Sequence, residues 1–189
     1  MNQKSISKFI ITPDQDRKLT SITDSGFHLH NMMGDEEEGR FLNRIGLVKD
    51  EPLNNPILAK EGDRVIVQHN VFRQWLDYGG DLKHSNVLND GTFFVDPGLI
   101  YAYERNGEWY SEGPWVFLDP TVNKKETTIQ YREEFRPDKG TVVFNQRQDD
   151  IEIGDFVSYK IGKYIPTIID GKEYYKILHK HILINHGKI

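Results

Sequence analysis

The sequence predicts an all-β protein made of two similar domains in tandem. Three observations support this prediction: the apolar residues come in short bursts, dipeptides typical of tight turns separate the bursts, and one ordered set of motifs occurs twice. The chain has 189 residues, which suffices for one ordinary domain or two small ones. The only helix candidate covers 70–78, and this short segment fits a strand edge or a loop equally well.

The apolar bursts are rich in β-branched and aromatic residues, and each is bounded by Gly, Pro, Asp or Asn. Short segments of this kind are typical of β-barrels and β-sandwiches. Hairpin turns are predicted at Asp90-Gly91, Asn106-Gly107 and Asp170-Gly171, because glycine accepts the positive φ that tight turns require. The bursts are FII (9–11), RVIV (64–67), TFFV (92–95), LIYAY (99–103), WVFL (115–118), TVVF (141–144), DFVSY (155–159), YIPTII (164–169), EYYKIL (173–178) and HILI (181–184).

The most informative feature of the sequence is an internal repeat. Each half has a strand ending in Pro, a Gly-led strand, a Gly-Asp-led strand, an Asp-Gly turn into an aromatic strand, and an apolar closing strand. The first half contains FIITP (9–13), GLV (46–48), EGDRVIV (61–67), DGTFFV (90–95) and LIYAY (99–103). The second half contains VFLDP (116–120), GTVV (140–143), IGDFVSY (153–159), DGKEYY (170–175) and HILIN (181–185).

The repeat predicts two domains, 1–112 and 113–189. The first copy is longer than the second at two places between matched motifs. These places are a polar loop over about 15–43 and an insertion over about 71–89. Both differences fall between strands, where loops absorb changes in length.

The matched Gly-Asp pairs are predicted to turn the chain into a core strand of each domain. Glycine supplies the unusual backbone angles, and the Asp side chain can accept hydrogen bonds from backbone N–H groups of the turn. The residues expected to face the core after these turns are Val65, Val67, Phe156 and Ser158.

Each half resembles the GroES-type co-chaperonin family, whose fold is a small irregular β-barrel. The second half, with KGTVVF (139–144) and IEIGDFVSYKIGKYIPTIIDGKEYYKILHKHILI (151–184), is similar to the family's Gly-x-Val strand, Gly-Asp strand and closing segment. In the first half IGLV (45–48), KEGDRVIVQ (60–68) and TFFVDPGLIYAY (92–103) are similar to the same places. The resemblance implies two tandem GroES-like irregular β-barrels.

The resemblance also implies a function, since family members form rings that cap a chaperonin and enclose a folding protein. They dock through a long mobile loop after the first strand, which here corresponds to 15–43. The loop's Gly-led apolar triplet corresponds to Gly26, Phe27, His28 and Leu29, with His28 where the family prefers an aliphatic residue. The expected partners are a GroEL-type chaperonin and further copies of this chain. The second copy has no such triplet, so one docking loop per chain is expected.

Two other functional classes stay open. The double barrel could serve as a structural or assembly component, for example of a virion, without chaperone activity. It could also be a small-molecule or metal-binding barrel, because His28/His30 and His179/His181 are i,i+2 pairs that share a face in a strand. No third ligand stands at a motif spacing, so neither a metal nor a cofactor is expected.

Composition and motif searches disfavour several classes. The chain has no cysteine and no recognisable catalytic or nucleotide-binding motif, so it is not expected to be an enzyme or to act on a small-molecule substrate. The net charge is −5 with no basic run, which disfavours nucleic-acid binding. No apolar stretch approaches the ~20 residues of a membrane helix. The expected location is the cytoplasm, which would be the host cytoplasm for a phage-encoded protein.

Overall fold

The computed structural model describes residues 5–14, 20–22, 28–30, 44–72, 74–76, 82–84, 88, 91–120, 138–146 and 150–188. In the short strands at 20–22, 28–30, 74–76 and 82–84 the description covers the backbone. By its Cα positions the chain divides into two compact units, Met1–Trp109 and Tyr110–Ile189.

The described residues contain β-strands and two single turns of 3-10 helix, at Pro97–Leu99 and His179–His181, but no α-helix. Of the alternatives for 70–78, the strand is the one found at 74–76. In chain order the strands are β1 (Phe9–Pro13), β2 (Thr20–Ile22), β3 (His28–His30), β4 (Ile45–Asp50), β5 (Arg64–Val67), β6 (Gln74–Leu76), β7 (Leu82–His84), β8 (Phe93–Val95), β9 (Ile100–Arg105), β10 (Glu108–Ser111), β11 (Trp115–Pro120), β12 (Lys139–Phe144), β13 (Asp155–Tyr159), β14 (Tyr164–Ile169), β15 (Lys172–Leu178) and β16 (Ile182–Lys188).

The prediction of an all-β fold is confirmed. Two six-stranded sheets have the orders β10-β9-β5-β4-β1-β8 and β14-β15-β11-β12-β13-β16. Two small hairpins, β2-β3 and β6-β7, complete the described strands. Both sheets are antiparallel, and neither closes on itself among the described residues.

The two sheets contain the same five-strand order. In the first sheet it is β9-β5-β4-β1-β8, and in the second it is β16-β13-β12-β11-β15, with the strands of each set in the same chain order. The sixth strand lies at opposite ends, since β10 flanks β9 whereas β14 flanks β15. Each sheet therefore consists of the shared five strands and one further outer strand, β10 in the first sheet and β14 in the second.

The register of the strands also repeats. Pro13 lies opposite Gly46 in the β1-β4 pair, and Pro120 lies opposite Gly140 in the β11-β12 pair. Each pair has one β-bulge, immediately before the third residue of β1 and the fourth residue of β11. The bulge therefore occurs at a matched place in both pairs, with the extra residue in β4 and in β12.

The closing strands correspond as well. Ile100 lies opposite Val67 at the start of β9, and Ile182 lies opposite Tyr159 at the start of β16. A single turn of 3-10 helix precedes each of them. The expected equivalence of Ile100 and Ile182 therefore agrees with the strand pairing.

The Gly-Asp turns have the same hydrogen bonds in both copies. Asp63 Oδ2 accepts a bond from the backbone N–H of Lys60 at 2.8 Å, and Asp155 Oδ2 accepts one from that of Glu152 at 2.9 Å. The preceding glycines have positive φ, +89° at Gly62 and +94° at Gly154. Glycine adopts this angle without the steric cost that other residues meet.

The core of the second sheet faces one side of strands β11, β12, β13 and β15. The prediction that Phe156 and Ser158 face this core is wrong, because Val157 and Tyr159 are buried whereas Phe156 and Ser158 are half-buried. The prediction for Val65 and Val67 in β5 is confirmed, although Ile66 between them is buried too. The core cluster consists of Val116, Leu118, Val142, Ile151, Val157, Tyr159, Tyr175 and Ile177.

Replacing Gly46 by alanine is expected to lower the free energy of unfolding by about 1–3 kcal/mol, because overpacking displaces neighbours in a dense core. An added Cβ would lie 2.5 Å from a methyl carbon of Ile11 and 2.8 Å from both the Phe72 ring and the Thr12 carbonyl oxygen. Denaturant unfolding would measure the change. Gly98→Ala is the matched control, since a Cβ there meets nothing within 4 Å; equal effects of the two substitutions would contradict the packing argument.

Candidate functional site

The predicted docking segment, Gly26 to Leu29, overlaps the second strand of a small hairpin. β2 and β3 pair antiparallel, with Ser21 opposite Leu29 and Ile22 opposite His28. Gly26 and Phe27 lie outside the described residues, between the two strands. The docking role of these four residues stays a prediction, and the hairpin adds that His28 and Leu29 belong to a paired strand.

The two His-x-His pairs have different local structures. His28 and His30 are both in β3, and their backbones pair with β2. His179 and His181 bound the 3-10 turn before β16, and the Nε2 atom of His179 lies 2.9 and 3.1 Å from the two carboxylate oxygens of Asp150. No group of three metal-ligating side chains occurs within the part of the chain that the structure describes.

Side-chain contacts join strand β16 to its neighbour in the sheet, β13. The Asn185 amide donates a hydrogen bond to Asp155 Oδ2 at 2.7 Å, and Lys188 Nζ lies 2.8 Å from Glu152 Oε2. The His186 ring nitrogen Nε2 lies 2.8 Å from Ser158 Oγ. These contacts link β16 to β13 and to the turn that precedes β13.

Two of these contacts shift a pKa, that of Asp155 and that of Lys188. The backbone N–H of Glu152, followed by the Asn185 amide, lowers the pKa of the Asp155 carboxyl, because both hydrogen bonds favour its charged form. The hydrogen bond to Glu152 raises the pKa of Lys188. In the core, burial raises the pKa of Tyr159, with Tyr175 and Tyr164 as smaller causes.

The Asp155 turn is expected to become less stable in acid. Because the folded pKa is lower than the ordinary value near 3.8, the unfolded chain binds the proton first as the pH falls. The stabilisation is therefore complete above this value and is lost as the pH falls through the folded pKa. Asp155→Asn should make the free energy of unfolding depend less on pH below about pH 4. Acid titration of both proteins, with Glu61→Gln as an exposed control, measures this; parallel curves for wild type and Asp155→Asn would contradict it.

Two features near β16 were not found from the sequence. Lys160 and Lys163, in the turn after β13, lie beside Lys180 and His181 in the 3-10 turn, where the backbone N–H of Lys160 donates to the His181 carbonyl oxygen at 2.9 Å. Leu183 and Ile184 are exposed, although their sequence pattern reads as a core strand. Only the pairing of β13 with β16 brings these separate sequence segments together.

No protein-family model matches the chain, and no curated protein matches it either. Among the described residues, no helix has the length and apolar character needed to cross a membrane.

Proposed function

We propose that this chain is a tandem co-chaperonin-like protein, which forms a homo-oligomeric ring and caps a GroEL-type chaperonin to assist protein folding. One observation carries the proposal: the two sheets share a five-strand order and its register. The motifs that resemble the co-chaperonin family fall on corresponding strands of that order. In this proposal each sheet belongs to one GroES-like barrel.

The place of the predicted docking loop supports the same function. The loop joins β1 to β4, which are neighbouring strands of one sheet, so 15–43 leaves and re-enters the sheet at one end. Its apolar residues Phe27 and Leu29 stand among polar and acidic ones. Ordering such a loop costs conformational entropy, so each contact binds weakly, and several loops on one ring bind together with a higher avidity.

Electron microscopy of the protein mixed with a GroEL-type chaperonin and ATP tests the proposal. We expect added density at the end of the chaperonin cylinder, and no such density when nucleotide is left out. Light scattering of the protein alone should show a closed oligomer, which is the usual form of soluble assemblies. A strict monomer at high concentration would contradict ring formation. An oligomer that never binds the chaperonin would instead favour a structural or assembly role.

A further inference from the structure

Strand β16 presents an open edge to solvent. It pairs with β13 on one side, and no strand in the described part of the chain pairs with it on the other. Leu183 is 65% exposed and Ile184 is 53% exposed. Leu183 stands where the register against β13 shifts, between Ile182 and Ile184, and the side chains on both sides of this shift that face solvent are apolar. An uncovered apolar edge with free backbone groups is a template for pairing with another segment.

In the first sheet the corresponding edge carries a further strand. There the equivalent strand β9 is flanked by β10, and the two-residue turn Asn106-Gly107 joins them as an antiparallel hairpin. Ala102 of β9 and Ile184 of β16 have the same position in the two sheets, since Ala102 lies opposite Ile66 and Ile184 lies opposite Ser158. Ala102 is fully buried, whereas Ile184 is exposed. Among the described residues, the second sheet therefore has no strand at the place that β10 occupies in the first.

The other outer strand of the second sheet is a poorer template. β14 has Pro166 at its third position, opposite Tyr175 of β15. Proline has no backbone N–H to donate, and on an edge strand it discourages further pairing. β16 contains no proline along its seven residues. The register of β16 against β13 shifts at two places and Gly187 has a φ of +77°, so the part of β16 available to an added strand is 182–185.

A cluster of positive charge lies where β16 begins. We define the basic cluster as Lys160, Lys163, Lys180 and His181, of which the three lysines are exposed. The turn is compact, since the backbone N–H of Lys163 donates to the Lys160 carbonyl oxygen at 3.2 Å. Desolvation and then the nearby lysines lower the pKa of His181, as expected where cations are crowded.

The basic cluster is not a requirement of the repeated fold. By the register of the closing strands, Lys180 and His181 correspond to Gly98 and Leu99 of the first copy, which carry no charge. Crowded cations repel one another, and a carboxylate placed among them relieves that repulsion. The positive charge of the basic cluster therefore favours an anionic partner.

We propose that β16 and the basic cluster bind an extended acidic peptide, which adds to the sheet as an antiparallel strand. Backbone hydrogen bonds to the open edge would give affinity, and apolar side chains of the peptide would cover Leu183 and Ile184. Antiparallel pairing places the carboxyl end of the peptide at the amino end of β16, so its acidic residues should follow its apolar ones. The inference does not depend on chaperonin binding.

Two synthetic peptides test the site on the full-length protein. The first alternates threonine and valine over four residues and ends in Asp-Glu-Asp, and the second has the same composition with the acidic residues first. Fluorescence anisotropy should show saturable binding of the first peptide, weaker binding of the second, and weakening of both by salt. Amide hydrogen exchange of 183–186 should slow when the first peptide binds. No binding at millimolar peptide, or equal binding of both, would overturn the proposal.

Charge and edge variants separate this partner from others. Lys163→Glu with Lys180→Glu should weaken binding about tenfold, because two attractive contacts become repulsive. Lys49→Glu, an exposed lysine in the first sheet, should leave it unchanged. Leu183→Ser with Ile184→Ser should also weaken it, and Ile168→Ser on β14 should not. Unchanged binding in the charge or edge variant would overturn the site. Tighter binding of a single-stranded oligonucleotide, or exchange protection of β16 by self-association alone, would overturn the acidic-peptide assignment.

Discussion

Replacing both Phe27 and Leu29 by serine is expected to abolish chaperonin binding while the fold and the oligomer remain intact. If the loop over 15–43 docks, these two side chains supply its buried apolar area. Each is worth about 1.5–3 kcal/mol when fully removed from water, so their joint loss lowers the affinity of each loop at least a hundredfold. Co-sedimentation with chaperonin and ATP measures binding, circular dichroism measures folding, and light scattering measures assembly.

The controls for this variant distinguish docking from core packing. Leu53→Ser and Ile161→Ser change exposed apolar residues elsewhere in the chain and should bind as the wild type does. If the Phe27 and Leu29 double variant unfolds, the two residues belong to the core of the first domain. If it folds and still binds normally, the docking segment lies elsewhere, and Trp75–Gly80 is the next segment to replace.

The matched motifs predicted that the two halves have corresponding strands, because each motif has a local physical cause. A Gly-Asp turn needs a positive φ at Gly62 and Gly154 and a carboxylate that accepts a backbone N–H. These requirements can be read along a short stretch of sequence. The motifs occur in the same order in both halves, and each matched pair falls on corresponding strands of the two sheets. The prediction of closed barrels goes beyond what the sheets show.

Which side chains of β13 point to the core could not be predicted in the same way. Both Phe156 and Val157 are apolar, so the sequence alone does not say which of them points to the core. The register decides, because Val157 lies opposite Gly140 whereas Phe156 lies opposite Thr141. A shift of one residue reverses every side chain of a strand, and that choice depends on a partner distant in sequence.

The basic cluster was missed for a related reason. Lys160 and Lys180 are separated by the whole β14-β15 hairpin, and no local pattern shows that the two turns meet. The open edge of β16 was also hidden, because its apolar residues match those of a buried strand. Neighbours in a sheet, rather than the residues of the strand itself, determine whether an edge is covered.

Phe117→Ala is expected to lower the free energy of unfolding by about 3–5 kcal/mol, the usual cost of emptying a buried aromatic site. Phe117 is 0% exposed, and its ring centroid lies 5.4 Å from that of Phe144. Val116 and Leu118 beside it are buried as well, so β11 is covered on both faces. Denaturant unfolding measures the loss of free energy of unfolding. Hydrogen exchange shows whether the backbone amides of β11 and β12 lose protection in the variant.

The internal repeat provides a matched control for this substitution. Ile10 has the position in β1 that Phe117 has in β11, since each stands just before the bulge, but Ile10 is only half-buried and lies opposite Asp50. Ile10→Ala should therefore cost about 1 kcal/mol, because less apolar surface returns to water and a partly exposed site leaves no closed cavity. Equal losses at the two positions would mean that the two sheets bury this face to the same extent. A small loss at Phe117 would mean that the second sheet repacks around the missing ring.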